Sequence, residues 1–136
     1  MRTKGGKFWL TPAELYRSLD DEFQFDFDPC PYPRPRNYNS LVVPWGSSNY
    51  VNPPFLKKDA PHGGPAAFAR KAIEERDNGK TSVVVLPATW SIGLLMEAGA
   101  EVRYLGRVRW VEADSGELSK RNYPQVMAIL KGGTGK

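Results

Sequence analysis

The amino-acid sequence predicts an α/β fold in which a mainly parallel central sheet is flanked by helices. Three observations carry that expectation. Past residue 47 the apolar pattern switches repeatedly between a strand period and a helix period. "TSVVVLP" is a continuous apolar run of the kind buried on both faces of a sheet. The 136 residues suit one domain, and no internal repeat or composition shift marks a second.

Taken in order, the basic, Gly-rich ends 1–7 and 132–136 read as flexible tails of a single domain covering 1–136. In "TPAELYRSL", Thr11 is placed to cap a helix over about 12–20. Pro12 takes its first position, Glu14 completes a capping box, and Leu15 with Leu19 forms the apolar stripe. "EFQFDFDPC" alternates Phe23, Phe25 and Phe27 with Gln24, Asp26 and Asp28, which predicts a strand stopped by Pro29 with both aspartates pointing the same way. "PYPRPRNYNS" is a loop, too rich in proline for a helix. "SNYVN" is a short strand cut off by Pro53 and Pro54, and "LKKDAPHGG" a polar loop able to move. A helix follows from Pro65, with Ala66, Ala69 and Ile73 beside Phe68 and Ala72, and Gly79 where it stops. After the apolar strand, "SIGLLMEAGA" predicts a short helix ended by Gly99. "EVRYLG" and "RVRWVEA" predict two alternating strands, and "QVMAILK" the last one.

Composition narrows the function classes. Nineteen Lys and Arg against fifteen Asp and Glu give a formal charge of +4, which favours an anionic partner such as nucleic acid without demanding one. A single cysteine and a single histidine exclude a disulfide framework and a multi-cysteine zinc site, and no metal is expected. The longest apolar stretches fall short of the roughly 20 residues of a spanning helix, and no signal-peptide core follows the first residues. The chain therefore reads as soluble and cytoplasmic.

In open sheets ligands bind beyond the carboxyl ends of the strands, and two predicted strands end in unusual chemistry, "FDFDPC" and "NYVNPPF". Two consecutive prolines stiffen the backbone and remove two N–H donors. What remains is a set of acceptors, the Asn52 side-chain oxygen and the Pro53 carbonyl, next to the flat ring of Phe55. That suits a planar ligand carrying an amino group. The lone pair of an adenine or cytosine amine is delocalised into its ring, and two acceptors on its hydrogens favour a pyramidal, more nucleophilic nitrogen. The same four residues also read as a rigid turn in a proline-rich chain.

"NPPF" resembles motif IV of amino-group methyltransferases that use S-adenosylmethionine. "FWLTPAELYRSLDDEFQFDFDPCP" followed by "VNPPF" resembles the small phage-type DNA N6-adenine methyltransferase family, Dam-like in activity. The resemblance runs from Trp9 to about Trp110. It rests on a Trp-x-Thr-Pro start, a Phe-Asp-x-Asp strand and Asn-Pro-Pro-aromatic in that order.

The resemblance implies a trimmed, Rossmann-like class I methyltransferase with S-adenosylmethionine in one half of the rim and a flipped base of double-stranded DNA in the other. Trp9, Thr11, Pro12, Asp26, Asp28 and Pro29 are then cofactor-binding candidates, and Asn52, Pro53, Pro54 and Phe55 hold the target amine. Carboxylates suit the cationic cofactor. Asp26 reads equally well as a strand-end aspartate bonded to nearby amides, and Thr11 as a helix cap. Cys30 is better placed as a small buried residue than facing the cofactor, and Trp90 as a helix-start residue than as a second stacking ring. Choosing adenine over cytosine rests on the resemblance alone. The expected reaction is in-line methyl transfer to a base flipped out of the stack.

Two departures qualify it. No Gly-x-Gly loop follows the first strand, where "DPCPYPRPRN" stands instead, and the seventeen residues from Cys30 to Gly46 leave no room for two further strand-helix units. The sheet is therefore expected to be trimmed on that side. Arg34, Arg36, Lys57 and Lys58, with His62, are the phosphate-gripping candidates. There is no separate target-recognition domain, so specificity comes from short loops, from a second subunit in a homodimer, or is low. Two other readings stay open: an amino-methyltransferase acting on RNA or protein, and a non-catalytic nucleic-acid-binding relative.

Overall fold

The computed structural model describes residues 9–31, 38–54, 63–88, 91–119 and 124–132. In chain order its elements are β1 Trp9–Leu10, α1 Ala13–Phe23, a 3-10 turn Ser40–Val42, β2 Ser48–Val51, α2 Pro65–Asp77, β3 Thr81–Pro87, α3 Ser91–Glu97, β4 Glu101–Arg107, β5 Val111–Glu112 and β6 Pro124–Leu130. Pro65 opens α2 at its first turn, Gly79 follows its end with φ +86°, and Gly99 does the same for α3 with φ +92°. No described helix is long and apolar enough to cross a membrane.

The central sheet has the order β2-β3-β6-β4, while β1 and β5 form a separate antiparallel pair. Only β2 and β3 are parallel neighbours; β6 pairs antiparallel with both β3 and β4, so the mainly parallel sheet expected from sequence is corrected to a mixed, mostly antiparallel one. The cause is the last strand. β2, β3 and β4 share one direction, and β6 returns against them to fill the gap between β3 and β4. Strand periodicity carries no information about direction, so the insertion is invisible in the pattern.

Two apolar layers cover the sheet. Val84, Leu86, Ala128 and Leu130 face α2 and α3 through Phe68, Ala69, Ala72 and Leu95. Val83, Val85, Met127 and Ile129 face α1 through Leu19, with Leu15 and Tyr16 alongside. Residues 82–86 are all buried, as the continuous run requires.

The start of the chain departs from expectation twice. α1 begins at Ala13 with Pro12 as its cap residue and no side-chain capping bond; the Thr11 hydroxyl is taken by the Tyr50 hydroxyl at 2.5 Å, so neither Thr11 nor Glu14 builds a capping box. The helix also runs on to Phe23, and the strand predicted from Phe23 to Phe27 shrinks to one parallel bridge between Phe27 and Asn49. Gln24 takes a left-handed conformation with φ 50° and turns the chain, and the Phe25 N–H is held by the Asp20 carboxylate at 2.9 Å. Phe23 and Phe25 then stack with centroids 6.0 Å apart, while Phe27 joins the opposite layer. Of "RVRWVEA", only Arg107, as the end of β4, and Val111–Glu112 are strand.

Side chains secure the short strand β2. The fully buried Asn49 amide accepts from the Gly46 N–H at 2.8 Å and donates to the Gly46 and Thr81 carbonyls at 3.0 and 2.9 Å. Asp26 accepts from the Ser48 N–H at 3.0 Å and the Ser47 N–H at 3.3 Å. Behind them Glu75, nearly buried, meets Lys71 at 2.7 Å and Lys80 at 3.5 Å and accepts from the Trp45 N–H at 3.3 Å, clamping the 40–46 segment to α2.

A Cβ on Gly46 would collide with the Asp26 carboxylate and stand 2.8 Å from the Phe27 Cβ. Gly46→Ala is therefore expected to destabilise the protein by about 1–3 kcal/mol, read as a lower urea midpoint; an unchanged midpoint would show that this segment yields freely.

Candidate active site

At the carboxyl rim, the Tyr50 N–H donates to the Phe27 carbonyl at 3.0 Å, which brings the Asp28-Pro29-Cys30 turn beside the end of β2. The Asp28 carboxylate accepts from the Cys30 N–H at 2.8 Å, and the Cys30 thiol lies near the Asn52 backbone amide. This turn thus lies beside Asn52. Pro53 is fully buried and Pro54 half-buried, so the Asn-Pro-Pro corner is held by packing as well as by proline's own stiffness.

Aromatic and hydroxyl groups close in on Asp28 from the α1 side. Tyr50 is buried, edge-on to Tyr16 with centroids 5.0 Å apart and 5.3 Å from Phe25, and its hydroxyl meets Thr11. Burial pushes the Tyr16, Tyr38 and Tyr50 phenols up, and the Asp28 charge adds to the rise in all three. Cys30 packs against the α2-side core, and burial pushes its thiol well up, so it is a small core residue with no nucleophilic character. Asp28 itself is pushed up to about 6, by burial first and against the Cys30 amide bond that lowers it. Among the described residues no lysine or arginine offsets that cost.

The predicted residues therefore divide. Thr11, Asp28, Pro29, Asn52, Pro53 and Pro54 come together at one rim. Pro12 caps α1 at its edge, and Trp9, 36% exposed, lies next in chain, paired in β1 with Glu112. Asp26 does not share Asp28's surroundings: its carboxylate is spent on the Ser47 and Ser48 amides, correcting the expectation that both point the same way. Phe55, Arg34, Arg36, Lys57, Lys58, His62 and Trp90 lie outside the described residues. Among the described residues no three His, Cys, Asp or Glu side chains gather to hold a metal ion. Sequence reasoning missed Tyr50, Tyr16 and Tyr38. For Tyr50 a signal existed, since period two places it on the same face as Asn52.

A rigid Asn-Pro-Pro corner that offers acceptors thus lies beside a largely buried carboxylate at the sheet rim. The chain belongs to the DNA N-6-adenine-methyltransferase (Dam) family, whose model matches residues 2–133. It is an adenine-specific DNA methyltransferase, with DNA as substrate; the family implies a methyltransferase fold and an S-adenosylmethionine cofactor. The match extends past Trp110 to take in β5 and β6. No curated protein matches the chain.

Asp28 also makes a stability prediction. Its folded pKa of about 6 lies above the ordinary 3.8, so in between the folded protein keeps a proton that the unfolded chain has lost. The stabilisation this provides is complete below the ordinary value and is lost as pH rises through about 6. Asp28→Asn keeps the acceptor for the Cys30 amide and removes the buried charge. It is expected to stabilise the protein by about 1–3 kcal/mol at pH 8 and to have little effect near pH 4. Denaturant melts at the two pH values check this, and equal shifts at both would refute the assignment.

Proposed function

We propose that the Thr11–Pro12 and Asp28–Pro29 half of the rim binds S-adenosylmethionine, and that Asn52 to Phe55 hold the N6 amino group of an adenine flipped out of double-stranded DNA. One observation carries the proposal: a largely buried carboxylate, costly on its own, sits one short turn from Asn52 and fits a cationic ligand. When bound, S-adenosylmethionine supplies an electrophilic methyl group. Asp28 holds positive charge and the surrounding phenols exclude water from it. Trp9, Thr11, Pro12 and Pro29 line this half, and Asp26 acts at one remove by fixing β2.

On the other half, the Asn52 side-chain oxygen and the Pro53 carbonyl accept from the amine hydrogens. Those bonds strengthen as positive charge develops on nitrogen, so they favour the transition state over the ground state. Phe55 stacks on the base, repaying part of the few kcal/mol that flipping costs. Arg34, Arg36, Lys57 and Lys58 contact phosphates. The family match over 2–133 supports a single domain.

Methyl transfer from labelled S-adenosylmethionine to mixed-sequence duplex DNA, with nucleosides resolved by mass spectrometry, is expected to yield N6-methyladenine. Asn52→Ala is expected to lower the rate by at least about 100-fold, in the range of a lost oxyanion-type contact, with cofactor affinity retained. A fully active Asn52→Ala protein would remove Asn52 from the amine site, and methylated RNA or protein as the better product would redirect the substrate. Cofactor affinity is expected to strengthen as pH rises through about 6, with proton release on binding that Asp28→Asn abolishes along with most of the affinity. Calorimetry in two buffers of different ionisation enthalpy measures both, and pH-independent binding would exclude Asp28 as the charged contact.

A further inference from the structure

Residues 108–119, which follow β4, form an arm that the function so far leaves unused. After Arg107 it runs through Val108-Arg109-Trp110 into β5, turns at 113–116 and returns to Ser119. It is built as a unit. The Trp110 N–H donates to the Ser119 hydroxyl at 3.1 Å, the Ser119 N–H to the Trp110 carbonyl at 2.8 Å and the Glu112 N–H to the Glu117 carbonyl at 2.8 Å. The buried Glu112 carboxylate accepts from the Asp114 and Ser115 amides at 3.1 and 2.9 Å, which fixes the tip. Trp110 packs into the α1-side core, and β5 pairs with β1, the segment that leads directly into Thr11.

Sheet register places the base of this arm at the same rim as Asn52. Val51 pairs with Val84, β3 continues to Pro87, Pro87 pairs with Gln125, and Arg107 lies opposite Pro124. Arg107 therefore stands beyond the end of β2 and three strand spacings to the side, roughly 15–20 Å from Asn52 at the usual strand rise and separation. Val108 is buried between Arg107 and Arg109, both of which are exposed. Arg109 Nε donates to the Ser119 carbonyl at 3.0 Å, which orients its plane. Arg103, four residues back on the same strand and away from this rim, is paired with Glu22 at 2.9 Å and Glu101 at 2.8 Å.

We infer that the base of the β4–β5 arm, through Arg107 and Arg109, is a DNA-backbone contact that seats the duplex while the target base occupies the Asn52 corner. The span is one that a duplex covers easily, since it carries a phosphate charge for every ~1.7 Å of its axis. Exposed Glu117 places a negative charge at the tip of the arm, which directs the DNA to its base. Guanidinium groups suit this role because they match phosphate oxygens in pairs. The contacts position the DNA and are largely indifferent to its sequence.

The test is DNA affinity against salt concentration, measured with the full chain and a mixed-sequence duplex. Arg107→Ala/Arg109→Ala is expected to bind at least tenfold more weakly at physiological salt. The slope of log affinity against log salt should fall by about 1.8, at ~0.9 per lost phosphate contact. S-adenosylmethionine affinity should stay at the wild-type value, and Arg103→Ala should change neither quantity. Wild-type slope in the double variant, or an equal loss in Arg103→Ala, would overturn the inference. Should the double variant melt early, Arg107→Gln, which leaves the Arg109 bond to Ser119 in place, decides by the same readout: half the slope change supports the contact, none refutes it. The inference rests on the DNA substrate and not on the assignment of Asn52 or Asp28. Asn52→Ala is expected to keep the wild-type salt slope, so the two proposals fail separately.

Discussion

β2 is four residues long, and the position of everything beyond its end depends on how its beginning is held. A ladder that short gives little resistance to slippage, and a slip by one residue would turn Asn52 to the other face of the sheet. Side chains supply what the ladder lacks. Asn49 folds its amide back onto Gly46 and across to Thr81, Asp26 holds the amides of Ser47 and Ser48, and the Ser48 hydroxyl reaches the Phe23 carbonyl at 2.7 Å. These bonds are mutually dependent, because Gly46 must lack a side chain for Asp26 to reach the strand. The network fixes register, and register places the Asn-Pro-Pro corner beside the Asp28 turn.

The other half of that rim is held at a cost. Asp28 is surrounded by phenols and a thiol whose ionisation its charge opposes, and burial makes its own charge expensive. A protein selected for stability alone would place an amide there. Keeping a carboxylate costs folding free energy, the direction of exchange expected if, as proposed, Asp28 meets a cationic ligand. The clamp of Glu75 with Lys71, Lys80 and Trp45 is the structural contrast: it also buries a carboxylate, but two cations lie beside it and its pKa falls despite burial.

Much of this was legible in the sequence, for reasons that differ from element to element. α2 and β3 are announced by their own composition: a proline at the first turn, two apolar rows and a terminal glycine for the helix, and an unbroken apolar run for the strand. The Asn-Pro-Pro corner is legible because proline restricts the backbone whatever surrounds it. The stretch from Phe23 to Phe27 misled because period two fits a strand and equally fits a helix end, a left-handed residue and an aromatic cluster. Which one forms was settled by Tyr16 and Tyr50, which offer Phe25 a place to pack from elsewhere in the chain. Thr11 misled in the same way, since a hydroxyl that could cap its own helix found a partner 39 residues away.

The sequence by itself determined the elements whose signals are local, the acceptor chemistry of Asn52 and Pro53, and the family, because the motifs that carry these are short and contiguous. Tertiary structure alone decided which carboxylate braces the backbone and which is left buried at the rim. Asp26 and Asp28 are chemically identical and two residues apart, and only the neighbours that folding brings to each, exposed amides for one and buried phenols for the other, separate a structural brace from a candidate ligand. It also decided the direction of β6 and, through that reversal, which loops share the rim with Asn52. Strand order is set by long-range packing and chain connectivity, and neither leaves a trace in residue periodicity.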